Sequence, residues 1–141
     1  MRIMAIDYGD ARTGIAISDA AGLLAGFTTV IHSRSREGML REIQALVQTR
    51  QVDGLVLGLP RNMDGTEGPR AQLCRDFAGQ LAALTGLTPV LWDERRTTVE
   101  AHGILHAGGK KMKAHRKTVD AVAATLILEG YLTRRRLQSG P

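Results

Sequence analysis

Residues 2–18 read RIMAIDYGDARTGIAIS, and this stretch decides the architecture. Residues 2–8 are apolar at odd and even positions alike until Asp7, the pattern of a central strand covered on both sides. Gly9 and Asp10 turn the chain, and residues 13–18 (TGIAIS) and 25–31 (AGFTTVI) supply two more short β segments. Three strands joined by such short connections predict an antiparallel meander.

Working outward, a helical stripe starts near Ser35, with Met39, Ile43, Leu46 and Val47 on one face and Ser33 or Ser35 as N-cap. Residues 53–60 (DGLVLGLP) read as a buried strand. Pro69 suits the first turn of a second helix, which places Leu73, Phe77, Leu81 and Leu84 on one face and stops at Gly86. Residues 88–92 form a further short strand. Thr97 and Glu100 have the spacing of a capping box and predict a helix as far as Gly108 and Gly109. From Lys117 the stripe Val119, Val122, Ala123, Leu126, Ile127 and Tyr131 describes a closing amphipathic helix. The order βββαβαβαα predicts an α/β fold: a five-stranded mixed sheet of strand order 3-2-1-4-5 with helices on both faces.

A length of 141 residues suits one domain with a core of its own, so residues 1–141 are expected to form a single unit. With 43% hydrophobic and 23% charged residues the chain is expected to be globular, neither disordered nor membrane-embedded. The apolar start breaks at Asp7, unlike a signal peptide, and the single Cys74 has no internal disulfide partner, so a reducing, cytoplasmic setting is expected. Charge is segregated: residues 1–109 carry 11 Lys and Arg against 12 Asp and Glu, whereas residues 110–141 carry 8 against 2. A clustered basic surplus with only 4% aromatic residues points to a polyanion held through its phosphates more than to bases stacked on rings. Lys110, Lys111, Lys113 and Arg116 are the expected phosphate contacts.

In such a sheet the functional crevice lies beyond the carboxyl ends of the strands, beside the first one. Asp7 stands there, and a carboxylate ending an apolar strand needs a cation, a donor or a metal as partner. Asp93 and Glu94 follow the fifth strand onto the same rim, although taken alone they could pair with Arg95 or Arg96. Asp120 falls near the apolar stripe of the last helix. Asp7, Glu94 and Asp120 could therefore converge, with Asp93 or Glu67 as alternative middle members. Gathered carboxylates require hard cations, and an all-oxygen set suits Mg²⁺ or Mn²⁺ better than zinc. Two such ions support in-line attack of water on a phosphodiester.

Other motifs fit less well. Residues 9–14 (GDARTG) have two phosphate-loop glycines, but Ile15 and Ala16 replace the Lys and Ser or Thr of a Walker A loop. His102 and His106 have metal-ligand spacing on a helix, with no Glu beside the first and no third ligand. Cys74 reads as a residue at the core margin, and no nucleophile-elbow serine occurs.

The same residues carry a family likeness. The chain resembles the bacterial YqgF (RuvX-like) family of the RNase H-like superfamily, described both as a Holliday junction resolvase and as a pre-16S ribosomal RNA nuclease. The resemblance rests on IDYGDARTGIAISD at 6–19, VLGLPRNMDGTEG at 56–68, WDERRTTVEA at 92–101 and KTVDAVAATLIL at 117–128. It implies that Asp7, Glu94 and Asp120 are the acidic triad that holds the metal. It also implies that the loop from Asn62 to Gly68, with Asp64 and Glu67, borders the site, and that Arg95, Thr97 and Lys117 belong to the surrounding polar shell. Lys117 stands where better-known junction resolvases tend to carry an extra acid, which weakens the junction-cutting implication more than nuclease chemistry itself.

The expected activity is that of a divalent-metal-dependent endonuclease acting on ribosomal RNA precursor. Alternatives are cutting of a four-way DNA junction, for which a homodimer would supply paired sites, and a non-catalytic nucleic-acid-binding module. Asp7-x-Gly9 also resembles the first phosphate motif of actin-like ATPases, but those need two lobes.

Overall fold

A computed structural model describes residues 1–94 and 121–138. Strand β1 (Ile3–Asp7) forms the middle of a five-stranded sheet of order β3-β2-β1-β4-β5. β2 (Arg12–Ser18) pairs antiparallel with β1, and β3 (Ala25–His32) antiparallel with β2. β4 (Gly54–Leu59) lies parallel to β1 on its other side, and β5 (Val90–Asp93) parallel to β4. The expected topology is thus the observed one.

β1 is apolar as far as Ile6 because its two faces meet two cores. Met4 and Ile6 join Ile15, Ile17, Leu55, Leu57 and Leu59 beneath helices α1 (Arg36–Thr49) and α2 (Pro69–Thr85). Ile3 and Ala5 join Ala16, Val56 and Trp92 beneath helix α3 (Val122–Gln138). Each fully buried aliphatic side chain contributes about 1.5–3 kcal/mol. Asp7 continues the Ile3 and Ala5 alternation and so points to the α3 face.

Local signals set the helix ends. The Ser35 side chain accepts the Gly38 N–H at 3.0 Å, a cap worth about 1 kcal/mol, Pro69 begins α2, and Gly86 closes it in the left-handed conformation (φ 78°). Two details differ from the sequence reading. α2 buries Ala71, Cys74, Phe77, Ala78 and Leu81, while Leu73 and Leu84 are 39% and 40% exposed. The inward stripe is rotated because α2 packs through small residues as well as large ones. The described part of the last helix begins at Val122, where the Ala121 carbonyl accepts the first helical N–H, from Thr125, at 3.0 Å. It buries Ala124, Leu126, Ile127, Leu128 and Leu132 and leaves Ala123 exposed. The expected helix at 97–109 lies outside the described residues. Among the described residues no helix is long and apolar enough to cross a membrane.

Candidate active site

Asp7 ends the central strand between two glycines. On one side it pairs with Gly14 of β2; on the other, Ile6 pairs with Leu57, which sets Asp7 beside Gly58 of β4. Both glycines face α3, and each leaves a space that is used. A Cβ on Gly58 would overlap Glu94 Oε1 and lie 2.9 Å from Ile127 Cδ1. A Cβ on Gly14 would lie 3.2 Å from Ala121 Cβ and 3.7 Å from Asp7 Cβ. Glycine inside a strand commonly marks such close approach.

Through the Gly58 gap the Glu94 carboxyl crosses one strand and hydrogen-bonds the Asp7 carboxyl. Burial, then the Asp7 charge, then this hydrogen bond raise the Glu94 pKa to about 7. Burial also raises Asp7, against the opposing pull of the Glu94 hydrogen bond and of Arg70. Below about pH 7 Glu94 therefore tends to keep its proton and to donate it in the hydrogen bond to Asp7. Two half-buried acids in this state call for a cation.

Arg70 supplies a fixed positive charge nearby. At the start of α2, its guanidinium donates to Asp10 Oδ1 at 2.8 Å and to the Tyr8 carbonyl at 2.5 Å, and lies 5.0 Å from the Tyr8 ring centroid. Tyr8 in turn stacks on Phe77 with 3.9 Å between centroids. The turn that follows Asp7 is thereby tied to α2. Cys74, one helical turn further along, is buried, and its thiol pKa is pushed up by desolvation against a lowering from Arg70.

The loop at 60–68 stands beyond the end of β4 and is ordered by its own polar groups. The Asn62 side-chain amide donates to Thr66 Oγ1 at 2.9 Å, and Thr66 Oγ1 to Asp64 Oδ1 at 2.6 Å. Glu67 receives two bonds of 2.6 Å from Arg75 and lies 3.4 Å from Arg61. Of the candidate middle acids, the structure therefore brings Glu94 to Asp7 and turns Glu67 to the arginines of its own loop and of α2.

Asp120, Arg95, Thr97, Lys110, Lys111, Lys113, Arg116 and Lys117 lie outside the described residues. Ala121, which follows Asp120, packs over Gly14 beside Asp7. Among the described residues no three His, Cys, Asp or Glu side chains stand together as a metal set. Sequence reading missed Arg70 and both glycines. Gly58 had a signal, a glycine flanked by leucines inside an apolar strand, whereas Arg70 had none.

A mixed sheet of this order, with an acid ending its central strand, has the RNase H-like fold. The structure is similar to Thermus thermophilus RuvC in complex with a Holliday junction substrate, with a TM-score of 0.63 at 9% identity, covering 99% of this chain and 98% of that one. A second Thermus thermophilus RuvC structure gives a TM-score of 0.54 at 13% identity, over 96% of each chain. The profile of the RuvX family, described as Holliday junction resolvase, matches residues 1–134, and the chain belongs to that family. A relative from Carboxydothermus hydrogenoformans is 46% identical over 132 residues, covering 94% of this chain and 96% of the relative. One from Halothermothrix orenii is 42% identical over 132 residues, 94% of each. Both carry the provisional name pre-16S rRNA nuclease.

Proposed function

We propose that the protein is a divalent-metal-dependent endonuclease that hydrolyses phosphodiester bonds in the precursor of 16S ribosomal RNA. The observation that carries this reading is the Asp7–Glu94 pair, two acids from strands that are not neighbours, pressed together at the carboxyl edge of the sheet. Family membership and the names of the relatives supply the substrate.

The donor set fits Mg²⁺ or Mn²⁺. It offers hard carboxylate oxygens only, and two such groups in hydrogen-bond contact repel one another once both are ionised unless a cation lies between them. Asp7 and Glu94 would hold the ion, with Asp120 as third acid, a role supported by Ala121 packing beside Asp7. When bound, the metal lowers the pKa of a water and neutralises charge on the phosphate under attack. Asp7 holds its place at the strand end, and Glu94 either binds metal or orients the attacking water. The water oxygen bonds to phosphorus as the bond to the leaving oxygen breaks, giving a phosphate monoester and a hydroxyl. Arg70 keeps the turn after Asp7 in place throughout. Lys110, Lys111, Lys113, Arg116, Lys117 and Arg95 would hold the strand's phosphates, so binding should weaken steeply with salt.

The family's description favours a second substrate, the four-way DNA junction. Cleavage of an RNA precursor, a junction and single strands at equal protein and metal concentration separates the two. Asp7→Asn should abolish cutting while binding and folding persist. A variant as active as the parent would remove the mechanism, and metal-independent binding without any cleavage would mark a binding module instead.

A further inference from the structure

We propose that the β2–β3 end of the sheet is a second phosphodiester track, on which Arg12, Arg34 and Arg36 hold the nucleic-acid strand on the opposite side of Asp7 from the 60–68 loop. The track presupposes that the substrate is a nucleic acid, not that Asp7 and Glu94 cut it.

Register places Arg12 and His32 at the candidate active site's rim, and Arg36 opens α1 at the same end of the sheet on its other face. β2 runs antiparallel to β1, so its first residue, Arg12, lies at the end where Asp7 lies, two positions past Gly14, the partner of Asp7. Arg12 shares the face of Gly14 and therefore of Asp7. Its own cross-strand partner is His32, the last residue of β3, and the Ser33 N–H donates to the Ala11 carbonyl at 3.1 Å, which holds the chain after β3 against the turn before β2. Arg34 and Arg36 follow immediately. From the spacing of strands and residues, Arg12 and His32 stand roughly 8 and 12 Å from Asp7 along the backbone frame.

These charges are not neutralised within the described fold. Arg41, Arg61, Arg70 and Arg75 each pair with a carboxylate. Among the described residues, Arg12, Arg34, Arg36 and His32 have none, and all but half-buried Arg36 are exposed. Arg36 occupies the first turn of α1, where the positive end of the helix dipole disfavours a cation. Like charges gathered at such a place repel one another until an anion arrives. On the β3 side the acids Asp10 and Glu37 are already paired, with Arg70 and Arg41, which leaves Arg12, Arg34 and Arg36 uncompensated beside the acids Asp7 and Glu94. A polyanion is drawn to the β3 side and led to the acids.

The test uses the full chain carrying Asp7→Asn, so that nothing is cut, with a short fluorescein-labelled single-stranded RNA and a DNA of the same sequence. Adding R12Q, R34Q and R36Q together should weaken binding at low salt by at least about tenfold. It should also make the slope of log Kobs against log salt shallower by about 2, as expected for three lost single-strand phosphate contacts. RNA and DNA should lose alike, because the track reads phosphate. Arg→Lys at the same three positions should restore the slope, and R41Q with R50Q should leave it unchanged. If the triple Gln variant fails to fold, R12Q with R34Q carries the same measurement, with a slope change of about 1.4. An unchanged slope in a folded variant overturns the track, and so does a loss confined to RNA or to DNA.

Discussion

Glu94 reaches Asp7 across an intervening strand because Gly58 has no side chain. Glu94 follows β5 and Asp7 ends β1, with β4 between them, yet the two carboxyls share a hydrogen bond. Any Cβ on Gly58 would occupy the position of Glu94 Oε1 and crowd Ile127. The side chain missing at Gly58 thus sets the distance between the two acids.

Gly58→Ala should therefore impair cleavage more than stability. Displacing Glu94 by about 1 Å is expected to lower kcat by roughly 100-fold. Crowding against Ile127 should cost about 1–3 kcal/mol, within what the core tolerates. Single-turnover cleavage alongside urea unfolding checks both, and full activity in the Ala variant would show that Glu94 need not stand where it does.

The proton held by the acid pair makes stability depend on pH. Glu94 titrates near 4.5 when unfolded and near 7 when folded, so the folded chain binds the extra proton between those values. Its stabilising contribution is complete below about 4.5 and is lost as pH rises through about 7. Glu94→Gln keeps a donor for Asp7 and removes the titration. At pH 8 the variant should be more stable than the parent by about 1–2 kcal/mol, partial solvent access screening the rest, with the difference fading towards pH 5. Metal-free denaturant melts at both pH values measure it.

Much of this was legible in the sequence, for reasons that differ by element. The β1 run ending at Asp7 fixed the middle of the sheet because only a doubly covered strand is apolar on both faces. Ser35, Pro69 and Gly86 marked helix ends because their chemistry is local. Leu73 and Leu84 misled because a helix packing through alanine and cysteine can turn its larger side chains outward. The meeting of Glu94 with Asp7 was left open because it depends on Gly58, a residue with no chemistry of its own. Arg70 was missed because its partners, Tyr8 and Asp10, lie some sixty positions earlier in the chain.

The two candidate middle acids separate under substitution. Glu67 is spoken for by Arg75 and Arg61, while Glu94 touches Asp7. Glu67→Gln should retain cleavage within about threefold and leave stability almost unchanged, as expected for a solvent-screened ion pair. Glu94→Gln should lose cleavage by about 100-fold or more, as expected for a misplaced catalytic group. The opposite ranking in one cleavage assay would make Glu67 the middle acid.

Cys74 offers an independent report on the same neighbourhood. Its thiol is buried on α2 within range of the charges of Arg70, Glu94 and Asp7, and desolvation raises its pKa, so little thiolate is present at neutral pH. A thiol reagent at pH 7.5 should modify the native chain slowly and the urea-unfolded chain at once. Arg70→Gln removes a charge that lowers the Cys74, Asp7 and Glu94 pKa values alike. In that variant the pH at half-maximal cleavage should move upward. Loss of the bonds to Tyr8 and Asp10 should cost about 1–3 kcal/mol. Arg70→Lys, which keeps the charge but not the forked contact, should restore the pH profile more fully than the stability. A Gln variant with the parent's pH profile and only a stability loss would reduce Arg70 to a tie between the β1–β2 turn and α2.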